Sequence, residues 1–198
     1  MPEQAPAVGV WISGLTLRPD YLSPEEHDEL LAAVDQQPWL TVLPRRVQHY
    51  GYRYDYKARK VDADLYLGPL PSWAQGLAQR LTSEGWFPET PDQLIVNEYQ
   101  PGQGIKQHVD CVPCFAGTIA SVSLGSTCVL QFAHAPTAQK VDFLIEPRSL
   151  VVMQEGARYR WTHAVPAQQL DKVDGKTYPR SRRVSLTFRK VLLPAAGL

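Results

Sequence analysis

Two histidines and one aspartate stand at a spacing that could hold a metal: His108-Val109-Asp110, with His163 much further along. In extended backbone, residues two apart point the same way, so His108 and Asp110 share a face while Val109 turns from it. Two imidazoles and a carboxylate suit Fe(II), and three ligands on one side leave positions open for substrate and oxygen. A His-x-Asp pair is common on protein surfaces, so these residues need support from elsewhere. Trp161-Thr162-His163 reads as β structure that brings the third ligand from a distant strand.

That support lies in Arg183-Val184-Ser185-Leu186-Thr187-Phe188-Arg189. Val184, Leu186 and Phe188 make an apolar face; Arg183, Ser185, Thr187 and Arg189 make a polar one. On an outer strand this would be only a solvated basic face. The arginines stand six residues apart, about 20 Å of strand, a gap that long side chains shorten by leaning together. Arginine is suited to forked recognition of carboxylate. Asn97 and Tyr99 in Asn97-Glu98-Tyr99 also share a face, each with a donor. A compact dicarboxylate held by Asn97, Tyr99, Arg183 and Arg189 fits 2-oxoglutarate.

These residues need a scaffold. Ser23-Pro24-Glu25-Glu26 predicts a helix start, with Ser23 as cap, Pro24 at the first helical position and Glu26 closing a capping box. Leu30, Leu31 and Val34 continue it as one apolar stripe. A second helix is expected from near Ser72, with Trp73, Leu77 and Leu81 on one side and Gly85 ending it. After Gly85 come short segments rich in Val, Ile, Leu, Phe and Thr, near 93–100, 118–124, 127–132, 141–146, 149–154 and 182–192, punctuated by Gly and Pro. The pattern predicts a mainly β fold with helical support: a double-stranded β-helix, or jelly roll, with N-terminal helices covering one sheet. We expect one domain over residues 1–198, with a helical and lid region at about 15–90, a catalytic core at about 91–192 and a loose start over 1–10.

Lys plus Arg and Asp plus Glu both number 20, so total charge gives no long-range pull on nucleic acid. A polyanion site would have to be a local patch. Met1 to Gly14 has neither a basic n-region nor an apolar h-region, and no apolar run is long enough to cross a bilayer. A cytoplasmic location with no membrane partner is therefore expected. Cys111, Cys114 and Cys128 are an odd set in a chain of this size, which predicts reduced thiols, although Cys111-x-x-Cys114 could carry metal or redox chemistry. His27 and His49 lack ligand spacing, His134 follows Phe132-Ala133 near a turn and is expected to be exposed or structural, and Trp161 is expected in the core or a cavity wall.

From about Pro44 to Lys190 the chain resembles the AlkB family of Fe(II)- and 2-oxoglutarate-dependent dioxygenases. The resemblance rests on Asn97-Glu98-Tyr99, His108-Val109-Asp110, Arg158 through His163, and the paired arginines of 183–189. It implies that His108, Asp110 and His163 ligate Fe(II) and that Asn97, Tyr99, Arg183 and Arg189 bind 2-oxoglutarate, with O2 as the other co-substrate. The implied reaction couples decarboxylation of 2-oxoglutarate to hydroxylation of a C–H bond, which on an N-methyl group ends in demethylation.

The resemblance also implies a substrate lid over Pro44 to Tyr56, with Arg46, Tyr50 and Tyr52 as substrate-binding candidates. There, cations mix with aromatics in the composition that holds phosphates and stacked bases. Arg45, Arg46, Arg53, Lys57, Arg59 and Lys60 form the local basic patch. Alkylated or modified DNA or RNA, tRNA included, is thus the expected partner. Val112 stands where the DNA-repair archetype has an acidic residue, and Ser185 where it has Asn. The lid and last strand are most similar to the family member that hydroxylates a modified wobble uridine in tRNA. Zero net charge and Val112 leave open a protein or small-molecule substrate for the same chemistry.

Overall fold

The computed structural model describes residues 11–193, so the loose start expected over 1–10 lies outside the described residues. The N-terminal half supplies β1 (Leu15–Arg18), α1 (Pro24–Asp35), β2 (Val47–Tyr50) and α2 (Ser72–Ser83). The remainder supplies β3 (Gln93–Tyr99), β4 (Ile105–His108), β5 (Phe115–Gly125), β6 (Cys128–His134), β7 (Gln139–Ile145), β8 (Leu150–Met153), α3 (Glu155–Tyr159), β9 (Trp161–Val165), β10 (Leu170–Val173), β11 (Lys176–Pro179) and β12 (Arg183–Val191).

Both predicted helices form where the local chemistry starts and stops them. Glu26 N–H donates to Ser23 Oγ at 3.1 Å and Ser23 N–H donates to Glu26 Oε2 at 2.9 Å, closing the capping box of α1. Past the end of α2, Gly85 takes φ +83°, a left-handed conformation that costs glycine little and stops the helix.

The strands form two antiparallel sheets, six-stranded in the order β1-β8-β5-β12-β3-β2 and four-stranded in the order β4-β9-β6-β7, beside a β10-β11 hairpin. This is the expected jelly roll, mainly β with helical support. The helices cover the outer face of the larger sheet: Leu77, Ala78 and Leu81 of α2 join Val96, Val122, Val184, Leu186 and Phe188 in one apolar cluster. The inner face meets the smaller sheet, where Ile119, Val151 and Met153 pack with Leu130, Phe132 and Trp161. Strand β12 lies between β5 and β3, and every residue from Arg183 to Arg189 is buried. Its apolar face is therefore clamped under helices, and its basic face looks into the roll rather than into water. Truncating Phe188, fully enclosed under α2, should cost about 3–5 kcal/mol.

Candidate metal and co-substrate site

Strands β4 and β9 pair so that His108 and His163 stand directly opposite, with ring centroids 4.3 Å apart. Asp110, two residues beyond the end of β4, brings Oδ2 to 3.4 Å from His163 Nε2. Each residue offers one ligand atom, and the three atoms lie within 4.8 Å of one another. His108 Nδ1 is 2.8 Å from the Lys106 carbonyl oxygen. That oxygen only accepts, so Nδ1 carries the proton and Nε2 keeps its lone pair for a metal. Burial pushes His163 down to about 4 against the pull of Asp110, leaving it neutral near pH 7 with a lone pair to give. Burial alone would raise Asp110, but the Arg189 guanidinium, followed by His163 and His108, holds it well below the usual carboxylate range.

Two arginines hold this corner in place. Arg189 binds Asp110 Oδ1 through Nε at 2.8 Å and Nη2 at 2.6 Å, leaving Oδ2 for a metal. Its Nη1 donates to Gln93 Oε1 at 3.2 Å. Arg158, buried, donates to the carbonyls of Asp110 at 2.9 Å, Phe115 at 3.2 Å and Cys111 at 3.3 Å, gathering the loop that carries the aspartate. Sequence reasoning gave Arg158 and Gln93 no role. A cation aimed at backbone carbonyls leaves no periodic or spacing signal.

Between the sheets lies a cavity of about 790 Å³, lined by His108, Asp110 and His163 together with Asn97, Tyr99, Arg183 and Arg189. All seven residues singled out for metal and co-substrate are thus brought together. The β3–β12 register makes this possible, setting Tyr99 opposite Arg183, Asn97 opposite Ser185 and Gln93 opposite Arg189. Small Ser185 and Thr187 separate the arginines along the cavity wall. Arg183 donates through Nη2 to Ser123 Oγ at 2.8 Å, while its Nε is buried without a partner. An orphaned guanidinium donor needs an acceptor, and a carboxylate is the strongest on offer. The donor set thus fits Fe(II), and the orphan fits one end of a dicarboxylate.

The lid departs from expectation. Strand β2 is the sixth strand of the larger sheet, so its side chains alternate between the helical layer and the cavity side. Tyr50 points to the helices, 5.4 Å from the Trp73 ring, and donates to Gln48 Oε1 at 3.0 Å. Arg46 turns outward to Glu98, at 2.5 and 2.7 Å, beneath the Trp39 ring. Tyr52 packs on Tyr66 at 4.9 Å. None of these three substrate candidates lines the cavity; Arg45, Tyr54, Tyr56 and Arg59 line it instead. The basic patch is also partly spent, because Arg45 is buried and Lys60 pairs with Asp62 at 2.7 Å.

Cys111 and Cys114 form a disulfide where reduced thiols were expected. The tight turn that closes at Cys111 O leaves their Cα atoms 5.2 Å apart, within bridging range. Both sulfurs lie against the Arg59 carbonyl, at 3.4 and 3.6 Å, so the bridge packs the loop after Asp110 on the segment that follows the lid. Cys128 is free and buried. His27 Nε2 accepts from Gly125 N–H at 3.0 Å and His134 stacks on Trp161 at 5.0 Å, both structural roles. Trp161 is core, as expected.

Residues 14–189 match the model of the 2OG-Fe(II) oxygenase superfamily. The chain belongs to the AlkB family within it. This AlkB-family chain is a dioxygenase using Fe(II), 2-oxoglutarate and O2. It is 38% identical to an "alkylated DNA repair protein ALKBH8 homolog" of Arabidopsis thaliana, covering 91% of this chain and 59% of that one. It is 35% identical to a "tRNA (carboxymethyluridine(34)-5-O)-methyltransferase alkbh8" of Xenopus tropicalis, covering 90% of this chain and 32% of that one. The chain thus spans less than two thirds of the plant relative and about a third of the frog one. The solved structure of OsALKBH1 superposes with a TM-score of 0.62 at 20% identity, covering 89% of this chain and 96% of that one, a likeness of fold.

Proposed function

We propose that this chain oxidises an alkylated or modified nucleobase in DNA or RNA, by hydroxylation or oxidative dealkylation. The carrying observation is the charge of the cavity. Among the described residues its wall presents the cations Arg45, Arg59, Lys106, Arg183 and Arg189 against the single carboxylate of Asp110. A divalent iron and a doubly charged 2-oxoglutarate cancel, so the loaded site still attracts anions, in a chain whose net charge is zero. A phosphate backbone supplies those anions. Tyr54 and Tyr56 provide aromatic surface on the lid side for an extruded base. The names of the plant and frog relatives, one in alkylated DNA repair and one in tRNA modification, support the same reading.

In this reading His108 Nε2, His163 Nε2 and Asp110 Oδ2 hold the iron. Fe(II), when bound with O2, supplies the oxidative decarboxylation of 2-oxoglutarate to succinate and CO2 and the hydroxylation of a substrate C–H bond. Arg183 receives one carboxylate on its unpartnered Nε, while Tyr99 and Asn97 add donors from β3. Arg189, anchored on Asp110, keeps the ligand carboxylate ionised and oriented. The lid residues Tyr54 and Tyr56 cover the cavity and exclude water around the reacting groups.

The test is succinate release from 2-oxoglutarate with and without methylated oligonucleotides, followed by mass spectrometry of modified nucleosides from DNA and tRNA. Stimulated turnover and a consumed nucleoside are expected. Turnover that no nucleic acid stimulates, in a protein whose oligonucleotide binding does not weaken with salt, would move the substrate to a protein or small molecule.

A further inference from the structure

Beside Arg183 and Arg189, Arg45 is a third buried guanidinium at this cavity. It is 9% exposed, and its Nε donates to Asn97 Oδ1 at 2.8 Å. No carboxylate pairs with it among the described residues, and no hydrogen bond engages its Nη atoms there. Neighbouring Arg46 takes the carboxylate of Glu98, on the opposite face of β3. With one neutral amide and the Tyr99 ring as its partners, the Arg45 guanidinium keeps its Nη donors for a ligand in the cavity. Arg45 and Arg183 both lie over the Tyr99 ring, at 5.9 and 5.5 Å, so Arg45 belongs to the end of the cavity where Arg183 Nε is orphaned.

We infer that Arg45 is a positioning residue for 2-oxoglutarate, acting through Asn97. An asparagine amide has an accepting end and a donating end. By occupying Asn97 Oδ1, Arg45 turns the Nδ2 donors toward the cavity, the polarity a carboxylate requires. Without Arg45 the amide is free to flip and present an oxygen to the anion. The inference rests on the co-substrate assignment above, and it gives a lid residue control over the co-substrate before any nucleic acid binds.

The experiment is calorimetric titration of 2-oxoglutarate into protein loaded with Mn(II), with no nucleic acid present. Arg45→Met should weaken 2-oxoglutarate binding about tenfold to a hundredfold, the range for a lost hydrogen bond to a charged group, with Mn(II) affinity unchanged. Arg45→Lys, which keeps the charge on one rotating ammonium, should fall between; it replaces the Met variant if that one loses Mn(II). Because Arg45 acts through Asn97, the double variant with Asn97→Ala should lose far less than the product of the single losses. Losses that multiply would overturn the positioning role. Unchanged 2-oxoglutarate affinity beside weakened oligonucleotide binding would make Arg45 a substrate contact instead. Wild-type protein that binds Mn(II) but then fails to bind 2-oxoglutarate would overturn the co-substrate assignment itself.

Discussion

Arg189 and Asp110 share one carboxylate oxygen, Oδ1, at 2.8 and 2.6 Å, and so the arginine that faces the co-substrate cavity also orients a metal ligand. Arg183 has no such partner and keeps an orphaned Nε. The two arginines should separate in experiment. Arg189→Met is expected to weaken Mn(II) or Fe(II) affinity about tenfold to a hundredfold, the usual loss when a ligand's own partner is removed, along with 2-oxoglutarate binding. Arg183→Met should leave metal affinity intact and weaken 2-oxoglutarate alone. Metal and co-substrate titrations on the two variants check this, and equal metal affinities would refute the division of labour.

Arg158 gathers the carbonyls of Asp110, Cys111 and Phe115 from a buried position. Arg158→Met strips the buried Asp110 carbonyl of its side-chain donor, at about 1–3 kcal/mol where water cannot replace it, while the Cys111 carbonyl keeps the backbone donors of its turn. Weaker metal binding and a lower melting temperature are expected together. A variant that lost stability but bound metal normally would show that the clamp does not reach the ligand.

Thiol titration reads the Cys111–Cys114 bridge directly. Native protein should present no reactive thiol, because Cys128 is buried, and denatured, unreduced protein should present one. Three thiols on denaturation would restore the reduced pair that composition alone suggests.

His49 gives the fold a pH dependence. Burial first, and then Arg189, Arg53 and Arg45, push it down to about 4. The Tyr54 N–H donates to its Nδ1 at 3.4 Å, a contact that needs the neutral ring. In the unfolded chain histidine titrates near 6.5, so between about pH 6.5 and 4 the unfolded state takes up a proton that the folded state refuses. Stability should therefore fall as pH drops through that window, by up to about 1.4 kcal/mol per unit, and level off below it. Urea midpoints for wild type and His49→Gln at pH 7.5 and 5 isolate the effect. Equal acid losses in both would exclude His49 as the source.

The residue pattern by itself determined which side chains share a face. Alternation over 183–189 grouped Arg183 with Arg189, the two-residue step grouped His108 with Asp110, and Ser23 with Glu26 fixed the start of α1. It could not say which face was inside. A strand with a basic face looks the same in sequence whether it meets water or a cavity, and only the helical layer on one side and the cavity beneath the smaller sheet on the other buried both faces of β12. Strand β4 (Ile105–His108) carries no apolar alternation, so its pairing with β9, which joins the histidines, came from contacts remote in the chain. The lid shows the same limit. Arg45 and Arg46 are chemically alike and adjacent, and the pairing of the following strand β2 with β3 turned one to Asn97 on the cavity face and the other to the buried Glu98 on the opposite face. Periodicity fixes relative orientation within a strand, whereas burial depends on partners that the strand does not encode.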